Sequence, residues 1–137
     1  MKKIILAASL LFFGLTGLFA QEQEVLPEMI FEVTEFDFGT LKKGADCTVD
    51  FVFRNTGKAD LVITNVKTSC GCTTPTYTQA PVAKKDQGTI TVKYDSNRLG
   101  SFNKTITVTS NAKNSPIILT IKGQIEDVPA VDNTVKE

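Results

Sequence analysis

The sequence predicts an all-β protein built as an antiparallel β-sandwich of about seven strands. Nearly every apolar run between residues 31 and 125 alternates with period two, and no window holds an amphipathic helix of useful length. Turn residues recur roughly every ten residues, which is the spacing of short strands in a sandwich. Each strand carries one apolar face rather than a continuous apolar run, so antiparallel sheets with one buried face are favoured.

The strands are predicted in chain order from these alternating runs. The first run, MIFEVTEFDFG, supplies Phe31, Val33, Phe36 and Phe38, with a change of phase near Glu35. The runs that follow are CTVDFVFRN, LVITNV, GTITVKYD, SFNKTITVTSN and PIILTIKGQI. The segment NTGKAD separates the first two of these runs and predicts a turn. A second change of phase, within LVITNV, predicts a β-bulge before Val66.

The two ends of the chain do not carry the strand pattern. Residues 1–20 combine a positive start, MKK, with a short apolar run and a small residue at Ala20, so they predict a signal peptide cleaved after Ala20. The next residue is Gln21 rather than cysteine, which argues against a lipid anchor. We expect an exported protein, periplasmic or secreted, with no membrane span after signal removal. Residues 21–30 are interpreted as a leader segment, and residues 126–137 as a polar tail.

Several blocks occur in an order that resembles a known family. These blocks are FDFGTLKKG, FVFRNTGKADLVITNVKTSCGCT, GTITVKYD, GSFNKTITVTSN and LTIKG, within residues 31–125. Together they resemble the bacterial domain-of-unknown-function family 1573, which is itself similar to the ASPM, SPD-2, Hydin domains. The resemblance implies an immunoglobulin-like sandwich over residues 31–125, located in the cell envelope, and it implies no activity. The short leader ending in FAQ also looks like a Bacteroidetes export signal.

Composition excludes several classes of function. The chain has no histidine, so Ser-His-Asp and Cys-His nucleophilic sites and histidine-rich zinc sites are excluded. It has 15 basic and 15 acidic residues and lacks a concentrated basic segment, which argues against nucleic acid as a partner. No glycine-rich phosphate loop is present. We therefore predict a protein without enzymatic activity, catalytic residues or a cofactor.

The stretch TSCGCTTP is the one candidate for chemistry, because it places Cys70 and Cys72 one residue apart. Zinc would need four donors, whereas Cu(I) could be held by Cys70 and Cys72 with Cys47 or Met29 as a third ligand. A disulfide between Cys70 and Cys72 is a second alternative. In an extended strand their Cα atoms would be about 6.6 Å apart, so the bridge needs a bend at Gly71 and would be easily reduced.

Two structural alternatives remain for the cysteines. Cys47 has the parity of the inward residues in its strand and lies near the level of Cys70, so a disulfide of Cys47 with Cys70 or Cys72 is one of them. The other is a set of reduced cysteines packed as small apolar residues. The structural alternatives are favoured over a redox or copper site.

The sequence thus predicts a binding or scaffolding module that acts through its strand edges or loops. The expected partner is an envelope protein or polysaccharide. The alternative function is a small periplasmic thiol protein, either a redox partner or a Cu(I) binder, using Cys70 and Cys72. Tyr77 is the candidate partner contact, because it lies among prolines in residues 74–85, the longest segment without a strand pattern.

Overall fold

The computed structural model describes residues 21–127, and within that range it forms eight strands and no helix. The strands are β1 (Met29–Phe31), β2 (Glu35–Lys42), β3 (Thr48–Asn55), β4 (Ile63–Thr68), β5 (Thr73–Tyr77), β6 (Gln87–Tyr94), β7 (Gly100–Ser110) and β8 (Ile117–Glu126). They make two four-stranded sheets, in the orders β1-β3-β6-β5 and β2-β8-β7-β4. The predicted β-sandwich is confirmed.

One pairing departs from the predicted antiparallel arrangement. β2 runs parallel to β8, with Glu35 opposite Thr120, whereas the other pairs within the sheets are antiparallel. The chain crosses from the first sheet to the second between β1 and β2. On one side of this crossing, the amide of Glu32 donates to Val52 O of the first sheet at 3.1 Å. On the other side, Thr34 O accepts from Thr120 N of the second sheet at 2.8 Å.

The core lies between the sheets and is filled by the inward positions of the alternating runs. Phe51 and Phe53 of β3 have no exposed surface, and Ile90 and Val92 of β6 face the same interior. The second sheet contributes buried Phe102, Ile106, Val108, Leu119, Ile121 and Ile125. Period two therefore identifies the buried face of these strands correctly, because successive side chains of a strand point to opposite faces. The first predicted run is the exception, since Val33 and Phe36 are exposed.

The predicted boundaries of the domain move slightly at the N-terminal side. Met29, placed in the leader by the sequence interpretation, is buried and begins β1. Asn114, in the connection between β7 and β8, holds it in place: Met29 N donates to Asn114 Oδ1 at 3.1 Å, and Asn114 Nδ2 donates to Met29 O at 2.7 Å. The predicted signal peptide, residues 1–20, and residues 128–137 of the predicted tail lie outside the described residues.

The predicted turn after β3 is held by one buried side chain. Asn55 is 0% exposed, and its Oδ1 accepts from Gly57 N at 3.0 Å and from Glu28 N at 3.3 Å. Its Nδ2 donates to Ala59 O at 2.7 Å and to Val82 O at 2.9 Å. Gly57 is packed so closely that a Cβ there would lie 2.5 Å from Leu26 O. The turn thus ties β3 to the residues before β1 and to the β5–β6 connection.

Candidate functional site

The CGC stretch forms the connection between the two sheets. β4 of the second sheet ends at Thr68, β5 of the first sheet begins at Thr73, and residues 69–72 carry the chain across. The turn is anchored on the second sheet by Ser69, whose amide donates to Thr105 O at 3.0 Å and whose Oγ accepts from Thr105 N at 3.1 Å. It is anchored on the first sheet by Cys72, whose carbonyl accepts from Asp95 N at 2.9 Å. Both ends of the turn are therefore fixed by hydrogen bonds.

Cys70 and Cys72 form a disulfide within this turn. Their Cα atoms are 5.4 Å apart, which is inside the range that a disulfide spans. The bend is supported at the carbonyl of Cys70, which accepts from Thr68 Oγ1 at 2.8 Å and from Thr73 N at 3.4 Å. The Cα separation is shorter than that of an extended strand because the chain leaves β4 and turns before β5 begins.

The predicted pairing of Cys47 with Cys70 or Cys72 is corrected by the arrangement of the first sheet. Cys47 O accepts from Tyr94 N at 2.9 Å on one side of β6, whereas Cys72 O accepts from Asp95 N on the other side. Cys47 and Cys72 are thus separated by a strand, or about 9.5 Å for two strand spacings. A disulfide needs Cα atoms within about 6.8 Å. Cys47 is a free buried thiol.

Burial determines the chemistry of Cys47. Its side chain is 1% exposed, and its pKa is raised to about 11, first by desolvation and second by the negative charge of Asp46. A thiol with that pKa stays protonated at neutral pH and is a poor nucleophile and a poor metal ligand. The interpretation of a cysteine as a small apolar residue therefore applies to Cys47 alone.

We predict that Cys47 makes stability fall at alkaline pH. In the unfolded chain the thiol ionises near pH 9, whereas in the folded protein it stays protonated until about pH 11. Its contribution to the free energy of unfolding is complete below pH 9 and is lost as the pH rises to about 11. Urea unfolding at stepped pH should show this decline, and Cys47→Val should reduce its slope. The pKa of Tyr94 is also raised by burial, so part of the slope should persist in the variant. Equal slopes in both proteins would contradict the prediction.

The described residues do not assemble a Cu(I) site from the predicted ligands. Among residues 21–127 the structure groups no three Cys, His, Asp or Glu side chains closely enough to hold a metal ion. Cys70 and Cys72 are bonded to each other, and Cys47 lies across β6 from Cys72. The three cysteines are therefore not brought together as a ligand set.

Two adjoining clefts open at the disulfide end of the sandwich, and we call them together the disulfide-end cleft. One has a volume of about 460 Å³ and the other about 540 Å³. The residues common to both are Lys93, Tyr94, Asp95 and Asn97. The first cleft adds Gly71, Cys72 and Thr74, and the second adds Gly44, Ala45, Asp46 and Ser96.

The disulfide-end cleft is lined mainly by polar and charged residues, and Tyr94 among its lining residues is anchored in the core. The ring of Tyr94 stacks on Phe102 of the opposite sheet, with centroids 3.9 Å apart and planes 13° from parallel. Asn97 N donates to Asp95 Oδ1 at 3.1 Å, which orders the loop after β6. Cationic Lys93 and anionic Asp95 both line the cleft, an arrangement suited to recognising polar groups of both signs.

Sequence reasoning did not single out Lys93, Asp95 and Asn97. The segment Asp-Ser-Asn after GTITVKY is a readable turn signal, because aspartate side chains accept hydrogen bonds from nearby backbone amides. The position of this turn beside Cys72 depends on which strands flank β6. That neighbourhood becomes visible only when the sheet order is known.

Tyr77 lies in a strand rather than in the predicted irregular segment. The first part of that segment is β5, and Tyr77 is paired with Ile90 of β6. Its side chain is half-buried and packs against the core, so it carries part of the sandwich itself. A role of Tyr77 as a partner contact stays a prediction.

Each sheet edge carries a feature that disfavours pairing with another strand. β1 has three residues, and Pro75 of β5 lacks an amide hydrogen. β2 is bulged between Asp37 and Thr40, with Gly39 at φ +64°. β4 is bulged between Ile63 and Asn65, and this is the bulge that the sequence predicted before Val66. Short strands, bulges and prolines are the usual protections of edge strands. Binding through strand edges, one of the two predicted modes, is disfavoured by these features.

The comparisons with known proteins give a family and a fold. The model of a family described as "Protein of unknown function (DUF1573)" matches residues 29–125. A search of curated proteins finds no match. The structure is similar to that of a protein of unknown function from Porphyromonas gingivalis W83, with a TM-score of 0.66 and 17% identity. That alignment covers 78% of this chain, which spans about half (51%) of the length of the Porphyromonas protein.

Two further structures are similar at lower identity. The ASH/PapD-like domain 7 of human CEP192 has a TM-score of 0.64 at 8% identity, covering 80% of this chain and 92% of that domain. The YadV chaperone has a TM-score of 0.52 at 12% identity, covering 75% of this chain and 54% of the chaperone. Likeness at this level shows the immunoglobulin-like, PapD-like fold. Within residues 21–127, no helix is long and apolar enough to cross a membrane.

Proposed function

The chain belongs to the DUF1573 family, and we propose that it is an exported, non-enzymatic module that binds another protein of the bacterial cell envelope through the disulfide-end cleft. The observation that carries this proposal is the pair of adjoining clefts that share the polar lining residues Lys93, Asp95 and Asn97. Concave surfaces lined by preorganised polar groups are the usual recognition sites of folded domains. The protected sheet edges disfavour binding by strand addition, which leaves clefts and loops as the binding surface.

Two features support an exported module. The leader of residues 1–20 has the pattern of a signal peptide, and the Cys70–Cys72 disulfide suits an oxidising compartment. The other predicted partner class was polysaccharide. Sugar rings bind best against exposed aromatic faces, and the one aromatic ring of the disulfide-end cleft, Tyr94, is 5% exposed and stacked inward. A protein surface with charged groups suits Lys93 and Asp95 better.

We predict that a photo-reactive amino acid at Asn97 captures an envelope protein in living cells. Asn97 is exposed and lines both clefts, so a bound partner must pass within reach of its side chain. The matched control is the same amino acid at Lys58, which is exposed at the opposite end of β3. Discrete adducts at position 97 that weaken when Lys93→Glu is added would support the proposal. Adducts at position 58 alone, or none at either position, would reject it, and adducts whose mass falls on treatment with glycosidase would indicate polysaccharide.

A further inference from the structure

We propose that the Cys70–Cys72 disulfide is a redox site that exchanges with the dithiol of a thioredoxin-type partner protein, and that Cys70 Sγ is the sulfur attacked. This inference goes beyond the proposed binding function and does not depend on it, because exchange requires only a transient encounter. Three properties of the turn carry it: the fold around both cysteines is held without the bond, the two sulfurs differ in exposure, and one buried hydroxyl serves them both.

The first property is that the bond contributes little to the fold. It closes a loop of three residues, so it removes little conformational freedom from the unfolded chain. The turn is already fixed by Ser69 on the second sheet and by Cys72 O on the first sheet. Reduction therefore leaves the cysteines facing each other, and the bond can form again without a search by the chain.

The second property is the difference in exposure between the two cysteines. Cys72 is 7% exposed and belongs to the core, whereas Cys70 is half-buried. Gly71 between them is exposed, and a Cβ added there would meet no atom within 4 Å. Open space beside Gly71 allows the backbone of a second protein to come close enough for its thiolate to reach Cys70 Sγ. Cys72 is then the leaving group.

The third property is the placement of Thr73. Its side chain is 4% exposed, and its Oγ1 lies 3.8 Å from Cys70 Sγ and 4.0 Å from Cys72 Sγ. Neither sulfur of a disulfide carries a hydrogen, so the hydroxyl is the donor in both contacts. Cys70 Sγ also accepts from Cys72 N at 3.3 Å. When the bond opens, the Thr73 hydroxyl can donate to the leaving thiolate of Cys72. The amide of Cys72 can donate to the Cys70 thiolate that the second step releases. Stabilising each thiolate as it leaves speeds the exchange.

The exchange proceeds in two balanced steps. A partner thiolate attacks Cys70 Sγ, the Cys70–Cys72 bond breaks, and a mixed disulfide forms while Cys72 leaves as a thiolate that takes up a proton. The second thiol of the partner, after losing its proton, attacks the partner's own sulfur and releases Cys70 as a thiolate that also takes up a proton. Two electrons and two protons pass from the partner dithiol to this protein, and the partner is left with a disulfide.

The test uses a thioredoxin whose second active-site cysteine is replaced by serine, so that the reaction stops at the mixed disulfide. Intact oxidised protein is mixed with this thioredoxin, and peptide mass spectrometry locates the bond. We expect it on Cys70, and Cys47→Ala should give the same yield. A bond on Cys72 would overturn the assignment of the attacked sulfur, and absence of any mixed disulfide would overturn the redox site.

Two further measurements separate a redox role from a structural one. Thr73→Val keeps the shape of the side chain but removes the hydroxyl, so it should slow reduction by thioredoxin about tenfold, the value of one hydrogen bond to a charged group. Thr73→Ser should restore the rate. In glutathione buffers of graded composition, the disulfide should pass from oxidised to reduced while circular dichroism stays native. A disulfide that stays oxidised across the whole series, or a fold that melts on reduction, would identify a purely structural bond.

Discussion

Replacing Asn55 by alanine should destabilise the domain by about 4 kcal/mol, a large part of the total stability of a domain of this size. The amide of Asn55 makes four hydrogen bonds while it is completely buried. Alanine would leave Gly57 N and Ala59 O without these partners in a region that water does not reach. Each unsatisfied buried group costs roughly 1–3 kcal/mol. Urea unfolding monitored by circular dichroism should give the value directly.

The matched control is Asn65→Ala. Asn65 lies in β4, is exposed, and faces solvent on the outside of the second sheet. Its replacement should change the free energy of unfolding by less than about 0.5 kcal/mol. Asn55→Asp is a second control, because it keeps the acceptor oxygens but removes both donor hydrogens and adds a buried charge. It should be as damaging as alanine. A cost below about 1 kcal/mol for Asn55→Ala would mean that water or a shifted backbone replaces the amide.

The features of the fold that could be predicted are those that local periodicity determines. Ile90, Val92 and Ile106 alternate with polar neighbours, and a half-buried strand is the structure that satisfies this pattern. The bulge before Val66 was readable for the same reason, since an extra residue must shift the phase of the alternation. β5 was missed because TTPTY contains a proline and little apolar content. That sequence is tolerated in β5 because the strand lies at a sheet edge.

The parallel pairing of β2 with β8 could not be read from the sequence in the same way. Glu35 and Thr120 are 85 residues apart, and alternation shows which face is buried but not which strand lies alongside or in which direction. The pairing of the cysteines failed for the same reason. The alternation correctly predicted that the Cys47 side chain points inward. It could not show that β6 separates Cys47 from Cys72, because that depends on the order of the strands in the sheet.

The candidate site thus arises where a local signal meets a long-range arrangement. CGC is a sequence signal for a bend, and the fold places that bend at the crossing between the sheets, beside the end of β6. The crossing fixes both ends of the turn, so the disulfide is not needed to hold the sheets together. A disulfide that the fold does not need for stability can be reduced and re-formed, as the proposed exchange requires. The disulfide-end cleft lies beside Cys72 at the same crossing.

The packing of Phe53 against Gly88 should show the strongest coupling in the core. Phe53 of β3 is directly opposite Gly88 of β6, and it is completely buried beside Phe31, with ring centroids 5.5 Å apart. The phenyl ring lies over the position that a side chain at Gly88 would occupy. A Cβ added there would lie 2.9 Å from both Cε1 and Cε2 of Phe53, closer than real Cβ contacts allow. Glycine is required here because the aromatic ring takes the space.

Gly88→Ala should therefore cost about 3 kcal/mol through overpacking, and Phe53→Ala about 4 kcal/mol through the cavity it leaves. In the double variant the new methyl group occupies part of that cavity and no ring opposes it. The combined cost should fall below the sum of the single costs by about 2 kcal/mol, which a double-mutant cycle in urea measures. Gly71→Ala supplies the control, because a Cβ at Gly71 meets no atom within 4 Å. If the costs of Gly88→Ala and Phe53→Ala are additive, β6 moves away from β3 to make room for the new methyl group. The Phe53 ring is then not the reason that glycine is needed at position 88.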